Sequence, residues 1–284
     1  MEPRPLNRAP ASRELGAMLR HWRDLRGTSQ LELSSHSGVS QRHISFIESG
    51  RSSPGRQTLL DIAEALDVPL RDRNSLLLAA GYAPVFSDAP WNAAEMQGVT
   101  RALERMLRQH EPFPAVVMDR YWNVLVTNEA APRFFNCFID MKKRPSPRNM
   151  LHLMFDPDGM RPHVADWHQV APTLIHRIVR ESVGHFTDSG TQELIGALLS
   201  YPGTKAEWNT STAVPTTTTL PVIPLGFIYN GATLKYFSMV TTVGTPQTIA
   251  AQELRIECLF PVDESTEALH LELMNRASLQ DHQP

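Results

Sequence analysis

The sequence predicts an α+β chain of two domains. The first is an all-α head of five short helices; the second is a larger body with a five-stranded antiparallel sheet and helices on one face of it. Three observations predict this. The chain has 284 residues with 42 % apolar content, enough for two packed cores. Apolar residues recur at helical three-and-four spacing through the first eighty residues. From Thr216 onward β-branched runs and strict alternation take over.

In the head, "ELGAMLRHWRDLRG" sets Leu15, Met18, Leu19, Trp22 and Leu25 on one stripe and stops at Gly27. "TSQLELSSHSG" follows, with Ser29 and Glu32 in capping-box spacing, Leu31 and Leu33 expected inward, and Gly38 as the stop. Ser40 then caps "QRHISFIESG", which turns Ile44 and Ile47 inward and Gln41, Arg42 and Ser45 outward before Gly50 ends it. "RQTLLDIAEALDV" and "RDRNSLLLAAGYAP" supply the fourth and fifth helices. A short helix, a tight Gly-containing turn and a second short helix make a helix-turn-helix. Residues 1–60 hold nine Arg against five acidic residues, a local +4 in a chain of net charge -3. Every basic residue there is Arg, the side chain suited to forked contacts with phosphate and guanine.

A Pro-rich connector leads to a helix expected to open at Asn92 with Glu95 as its partner, and to carry Met96, Val99, Leu103 and Met106 on its stripe. "PAVVMDRYWNVLVTN" reads as a hairpin turning near Arg120 to Asn123. "NEAAPRFF" and "NMLHLMF" are short helices on either side of a basic loop, "KKRPSPRN". A longer helix runs from near Val164 to Ser182, with Pro172 either kinking it or marking its start, and "SGTQELIGALLSYPG" is another. "TTTTLPVIPLGFIYNGATLKYFSMVTTVG" reads as a loop entering strands around a turn at Asn230-Gly231, and "LRIECLFPV" alternates Leu254, Ile256, Cys258 and Phe260 against Arg255 and Glu257. The expected domains are 10–82, a connector 83–92, a second domain 93–270 and a tail 271–284.

Two blocks carry family resemblances. Gln30, Gly38-Val39-Ser40, Ile44-Ser45, Ile47-Glu48, Gly50-Arg51 and Pro54 resemble the XRE, or lambda-repressor-like, DNA-binding domain over about seventy residues. The resemblance implies that Gln41, Arg42 and Ser45 read bases, that Ser40 lies at the groove edge, and that Gln30 touches a phosphate through its side chain or its helix N-terminus. Arg51 and Ser52 are expected as further phosphate contacts, and Arg23 and Arg56 after them. His43 is expected to pack or bond the loop, and Glu48 to hold the turn after its helix. Phe46 is open between touching a thymine methyl and packing on the loop.

"RNSLLLAAGYAPVF", "HEPFPAVVMDRYWNVLVTNEAA", "FDPDGMRPHVADW", "YPG" and "TTVGTPQTIAAQELRIECLFPVDEST" resemble the MmyB-like ligand-binding domain attached to XRE-type regulators. That resemblance implies a PAS-like sensor holding a small apolar effector, a fatty acid or a similar molecule. Alternation and helix stripes offer Trp167, Leu174, Ile178, Phe237, Met239, Ile256, Cys258 and Phe260 as cavity residues, with plain core as the competing role for each. For a ligand carboxylate, Arg120, Arg161, His163 and His168 are the available donors.

The expected partners are double-stranded operator DNA, a small-molecule effector and a second copy of the chain, because one short reading helix spans few base pairs. The competing reading makes the second domain a filled-core dimerisation or protein-interaction module without a ligand. The sequence has no metal-ligand cluster, nucleophile elbow, phosphate loop or dinucleotide fingerprint, so no catalytic residue and no metal is expected. No apolar run reaches membrane-spanning length and only Cys137 and Cys258 occur, which places the expected site of action in the cytoplasm.

Overall fold

The computed structural model describes residues 10–182, 189–205, 208 and 224–280. The chain divides into two compact units: one holds the residues up to Ala89 with the short segment Thr245–Gln252, and the other holds the sheet and its helices.

The first unit contains α1 (Pro10–Leu25), α2 (Gln30–Ser37), α3 (Gln41–Glu48), α4 (Arg56–Ala65) and α5 (Leu70–Ala79). Leu15, Met18, Leu19 and Trp22 of α1 pack with Leu33, Ile44, Ile47, Leu59, Ile62 and Leu76 in one core. The capping box opens α2: the Glu32 N–H donates to the Ser29 hydroxyl and the Glu32 carboxylate accepts from the Ser29 N–H at 2.8 Å. Gly38 ends α2 at φ 69°, a left-handed conformation that glycine adopts without the Cβ clash. Leu31, expected inward, is 61 % exposed while Leu33 is buried. Residues two apart on a helix point about 200° away from each other, so only one of the pair can face the core.

The N-terminus of α5 lacks a side-chain cap because Pro69 precedes it. The Leu70 N–H donates instead to Gln252 Oε1 at 2.7 Å, and Ile249 N–H donates to Ser87 O at 3.0 Å, which ties the segment 245–252 into this unit. Buried Asn74 organises the loop after α5, giving its amide N–H to Phe86 O and accepting from the Val85 and Phe86 N–H groups.

In the second unit a 3₁₀ turn (Ala94–Met96) precedes α6 (Gln97–Gln109), so the cap falls on Ala93 rather than Asn92, with no side-chain bond. Its buried stripe is Met96, Leu103 and Leu107; Met106, expected inward, is 41 % exposed, because the true period carries the stripe to position 107. Then come β1 (Ala115–Met118), β2 (Val124–Thr127), α7 (Ala130–Asn136), α8 (Met150–Phe155), α9 (Trp167–Ser182), α10 (Ser189–Ser200), β3 (Leu225–Tyr229), β4 (Ala232–Thr242), β5 (Arg255–Pro261) and α12 (Glu264–Gln280), while α11 (Ile249–Glu253), between β4 and β5 in the chain, falls in the segment that belongs to the first unit up to Gln252. The strands form one antiparallel sheet in the order β2-β1-β5-β4-β3. Asn230 and Gly231, both at positive φ, make the β3–β4 turn. Pro172 lies within α9 without ending it, and Val164 pairs with Phe227 at the β3 edge instead of starting the helix. The tetra-threonine stretch lies outside the described residues.

Register assigns side chains to sheet faces. Val116, Met118, Phe227, Leu234 and Tyr236 share one core with α7, α8, α9 and α12, centred on Phe134. Ala115, Val117 and Ile256 are buried toward the opposite face, where His110 at the end of α6 meets the Phe260 ring edge-on at 4.6 Å. The segment expected as a tail is helical to Gln280, because Leu273 and Met274 enter the main core. His270 Nε2 donates to Pro112 O at 2.9 Å, since a carbonyl can only accept, and Nδ1 lies 2.8 Å from the Tyr236 hydroxyl; burial lowers the imidazole pKa and favours the neutral ring, in which Nδ1 accepts from Tyr236.

Candidate nucleic-acid interface and effector cavity

Helix α3 is fixed from behind and open in front. Ile44 and Ile47 are buried, the Ser40 hydroxyl caps the helix by accepting the His43 N–H at 3.3 Å, and Ser40, Gln41 and Arg42 are exposed with half-buried Ser45 one turn on. The three expected base readers and Ser40, expected at the groove edge, are thus all at least partly open to solvent around the N-terminal half of α3. Phe46 stands between two guanidinium groups, Arg42 at 5.3 Å and Arg51 at 5.9 Å from its ring centroid, and its carbonyl accepts the Arg51 and Ser52 N–H groups. Its ring therefore packs against two arginine side chains. His43 Nε2 lies 3.4 Å from the Ser52 hydroxyl, so it ties the loop after α3 as expected. Arg51 and Arg56 are exposed.

Two expected phosphate contacts are engaged elsewhere. The Glu48 side chain is 2 % exposed and accepts from Arg23 Nε at 2.7 Å, Arg23 Nη2 at 3.1 Å and Gln30 Nε2 at 2.9 Å. A buried carboxylate needs such partners, and these hydrogen bonds hold Arg23 above its ordinary pKa despite its partial burial. The Gln30 and Arg23 side chains, both expected at phosphates, are thus bonded to Glu48 in this structure and tie α2 and α1 to α3.

Between the sheet and α9 lies a cavity of about 300 Å³, which shares Leu174, Leu225, Glu257 and Leu259 as lining residues with a smaller one of about 60 Å³. Of the expected lining residues only Leu174 borders it. Trp167 and Ile178 belong to the core, the former edge-on to Phe155 at 4.9 Å. Phe237, Met239, Ile256, Cys258 and Phe260 point to the other face, since Val240, Ser238, Glu257 and Leu259 are the residues in register on the cavity side. Alternation defines two faces; where both carry apolar residues it does not say which one the helices cover.

None of the donors expected for a ligand carboxylate lines the cavity. Arg120 pairs with Glu253 at 3.0 Å, Arg161 donates to Pro202 O and lies over Trp167, His163 meets Phe138, and His168 lies beside Gln169. Four charged residues line the cavity, Asp166, Arg177 of α9, Lys235 and Glu257 of β5, and none was among those expected there; Arg177 and Glu257 are the less exposed pair. Their signal was a carboxylate inside an otherwise apolar strand, "RIECLF", and an Arg at i,i+4 spacing from Glu181. Arg177 Nε donates to Glu181 at 2.9 Å, its Nη1 and Nη2 donate to the two Glu257 oxygens at 3.2 and 3.4 Å, and Trp122 lies against it at 4.5 Å. Arg255 closes the network on Glu181. Burial opposes the Arg177 charge, yet the two carboxylates outweigh it and raise its pKa.

Among the described residues no helix is long and apolar enough to cross a membrane, and no group of three or more His, Cys, Asp or Glu is placed to hold a metal ion. A helix-turn-helix family model matches residues 19–72. An uncharacterized HTH-type transcriptional regulator of Sinorhizobium fredii is 48 % identical over 52 residues, 18 % of this chain, and the chain spans about a quarter of that relative's length (26 %). The crystal structure of the clp gene regulator ClgR from Corynebacterium glutamicum aligns at 26 % identity over 37 % of this chain and 98 % of its own, with a TM-score of 0.23. A second family model, the MmyB-like transcription regulator ligand binding domain, matches residues 99–272, which contain the whole sheet and its cavity. Since that match covers more than half of the 284 residues, the chain belongs to the MmyB-like transcription regulator family, with a helix-turn-helix ahead of its ligand-binding domain.

Proposed function

We propose that the chain is a sequence-specific DNA-binding transcriptional regulator whose second domain binds a small, fatty-acid-sized apolar effector and so changes its affinity for operator DNA. It acts as a regulator rather than a catalyst, and as a homodimer on a near-palindromic site. The observation that carries the DNA reading is the solvent-open set Ser40, Gln41, Arg42 and Ser45 at the start of a helix whose back is locked by Ile44 and Ile47. Gln and Arg are the side chains that fork onto adenine and guanine edges in the major groove. Arg51, Ser52 and Arg56 supply phosphate contacts beside them. The cavity supports the sensor reading over a filled-core module, because its volume lies at the lower end of ligand pockets.

Selection of bound fragments from a random DNA pool tests the proposal. The expected result is a near-palindromic site for the native chain, and for the Gln41→Ala, Arg42→Ala variant only weak, salt-dependent binding without sequence preference. Unchanged selectivity in the variant would overturn the reader assignment.

A further inference from the structure

We infer that the effector is an amphiphile with a hydrogen-bond-donating head, a hydroxyl or an ammonium group, and that Glu257 receives that head. The inference rests on reading the cavity as the effector site, and it departs from the fatty acid that the sequence resemblance implies.

Val170, Leu174, Leu225 and Leu259 give the cavity apolar walls. Its charges decide the head. Asp166 and Lys235, of opposite sign, are exposed residues, and the Lys235 charge also acts on Asp263, helping to hold that carboxylate below its ordinary pKa after the hydrogen bonds from Ser265 and Thr266. The less exposed pair is Arg177 and Glu257, whose side chains are 18 % and 14 % exposed. The fork of the Arg177 guanidinium is closed by Glu257, its Nε by Glu181, and the Trp122 ring lies against it. The four-membered network of Arg177, Arg255, Glu181 and Glu257 is neutral as it stands.

A carboxylate entering this cavity would meet the Glu257 anion and a cation already matched by two carboxylates. To reach Arg177 it would have to displace Glu257 and leave that carboxylate desolvated and unpaired. A donor head meets the opposite situation. Each Glu257 oxygen accepts one hydrogen bond from Arg177 and keeps a further lone pair, and Glu257 borders both the larger and the smaller cavity. An O–H or N⁺–H donor can therefore join the network without breaking it, while its alkyl body lies along α9 and the sheet.

Calorimetric titration of the full chain with decanol, decylammonium and decanoate, each below its micelle concentration, tests this. The expected order is decanol and decylammonium binding, with decanoate at least tenfold weaker. Glu257→Gln should cost decylammonium at least tenfold and remove the discrimination against decanoate. Leu174→Trp, which fills the cavity, should abolish binding of all the probes. If decanoate binds as tightly as the others and Leu174→Trp still blocks it, the head assignment is wrong while the cavity reading stands. If none of the probes binds, or if Leu174→Trp leaves their binding unchanged, the cavity reading falls and the inference falls with it.

Discussion

The Glu48 carboxylate, at the end of α3, closes on the Arg23 guanidinium of α1 through two hydrogen bonds of 2.7 and 3.1 Å, and Gln30 of α2 completes the grip at 2.9 Å. Three helices thus meet on one buried charge, and the angle at which α3 presents Ser40, Gln41, Arg42 and Ser45 depends on it. Removing one partner leaves the other charge desolvated, which costs more than the pair contributes. Arg23→Ala is expected to destabilise the first unit by about 3 kcal/mol, the lower end of the buried-pair range because the Arg23 side chain retains some solvent contact. Thermal unfolding checks it. A loss below about 1 kcal/mol would assign Arg23 to the surface role first expected of it.

Phe46 between Arg42 and Arg51 leads to a prediction about affinity. Each exposed cation–π contact is worth about 0.5 to 1 kcal/mol, so losing both lowers DNA affinity roughly five- to thirtyfold. The informative substitution is Phe46→Leu, which keeps an apolar side chain and removes the ring. As a platform residue, Leu behaves like Ala and Trp behaves like Phe in binding to both operator and scrambled DNA. Wild-type binding by Phe46→Leu would instead favour contact with a thymine methyl.

Much of the first unit was legible because its signals are local. The Ser29-Glu32 box, the Ser40 cap, Gly38 and the Ile44-Ile47 pair act within a few residues of one another, and each takes the role its spacing implies. The destinations of Gln30 and Arg23 were not legible, because the partner that claims them, Glu48, is 18 and 25 residues away. The cavity was least legible. Phe237, Met239 and Cys258 share a face, as alternation says, yet whether helices cover that face or its opposite depends on where α9 and α12 pack, which no strand pattern encodes. Charged Glu257 looked solvent-facing for the same reason, although it borders the cavity.

His270 gives the fold a pH dependence of known sign. Burial is the main cause lowering its pKa, so the folded state holds it neutral while the unfolded chain protonates it near ~6.5. The unfolded state then binds more protons. The stability this contributes is fully present above that unfolded value and declines by up to about 1.4 kcal/mol per pH unit as pH falls toward the folded-state value. His152 is shifted in the same direction, also by burial, so the test must isolate one residue. Urea unfolding of the native chain and of His270→Gln at pH 7.5 and 5.5 does so. The variant is less stable at pH 7.5, where it loses the Tyr236 and Pro112 hydrogen bonds, and the gap narrows at pH 5.5. A gap independent of pH would mean that His270 does not titrate with unfolding.

Gly16, which no sequence signal singled out, sets how closely α1 approaches α3. A Cβ at this position would lie 2.5 Å from Glu48 O and 2.9 Å from Ile47 O, both backbone atoms that cannot turn aside as a side chain could. Gly16→Ala must therefore push α3 outward, at a cost of about 1 to 3 kcal/mol typical of overpacked sites. A Cβ at Gly98, inside α6, would meet nothing within 4 Å beyond its own helix backbone, so Gly98→Ala is expected to stabilise by several tenths of a kcal/mol through helix propensity alone. The two substitutions are chemically identical and opposite in sign, and urea unfolding separates them. Because α3 carries Ser40, Gln41, Arg42 and Ser45, the Gly16 variant should also lose DNA affinity under conditions where it is still folded, whereas the Gly98 variant should not. Native operator affinity in folded Gly16→Ala would show that α3 reads DNA without needing its observed seat on α1.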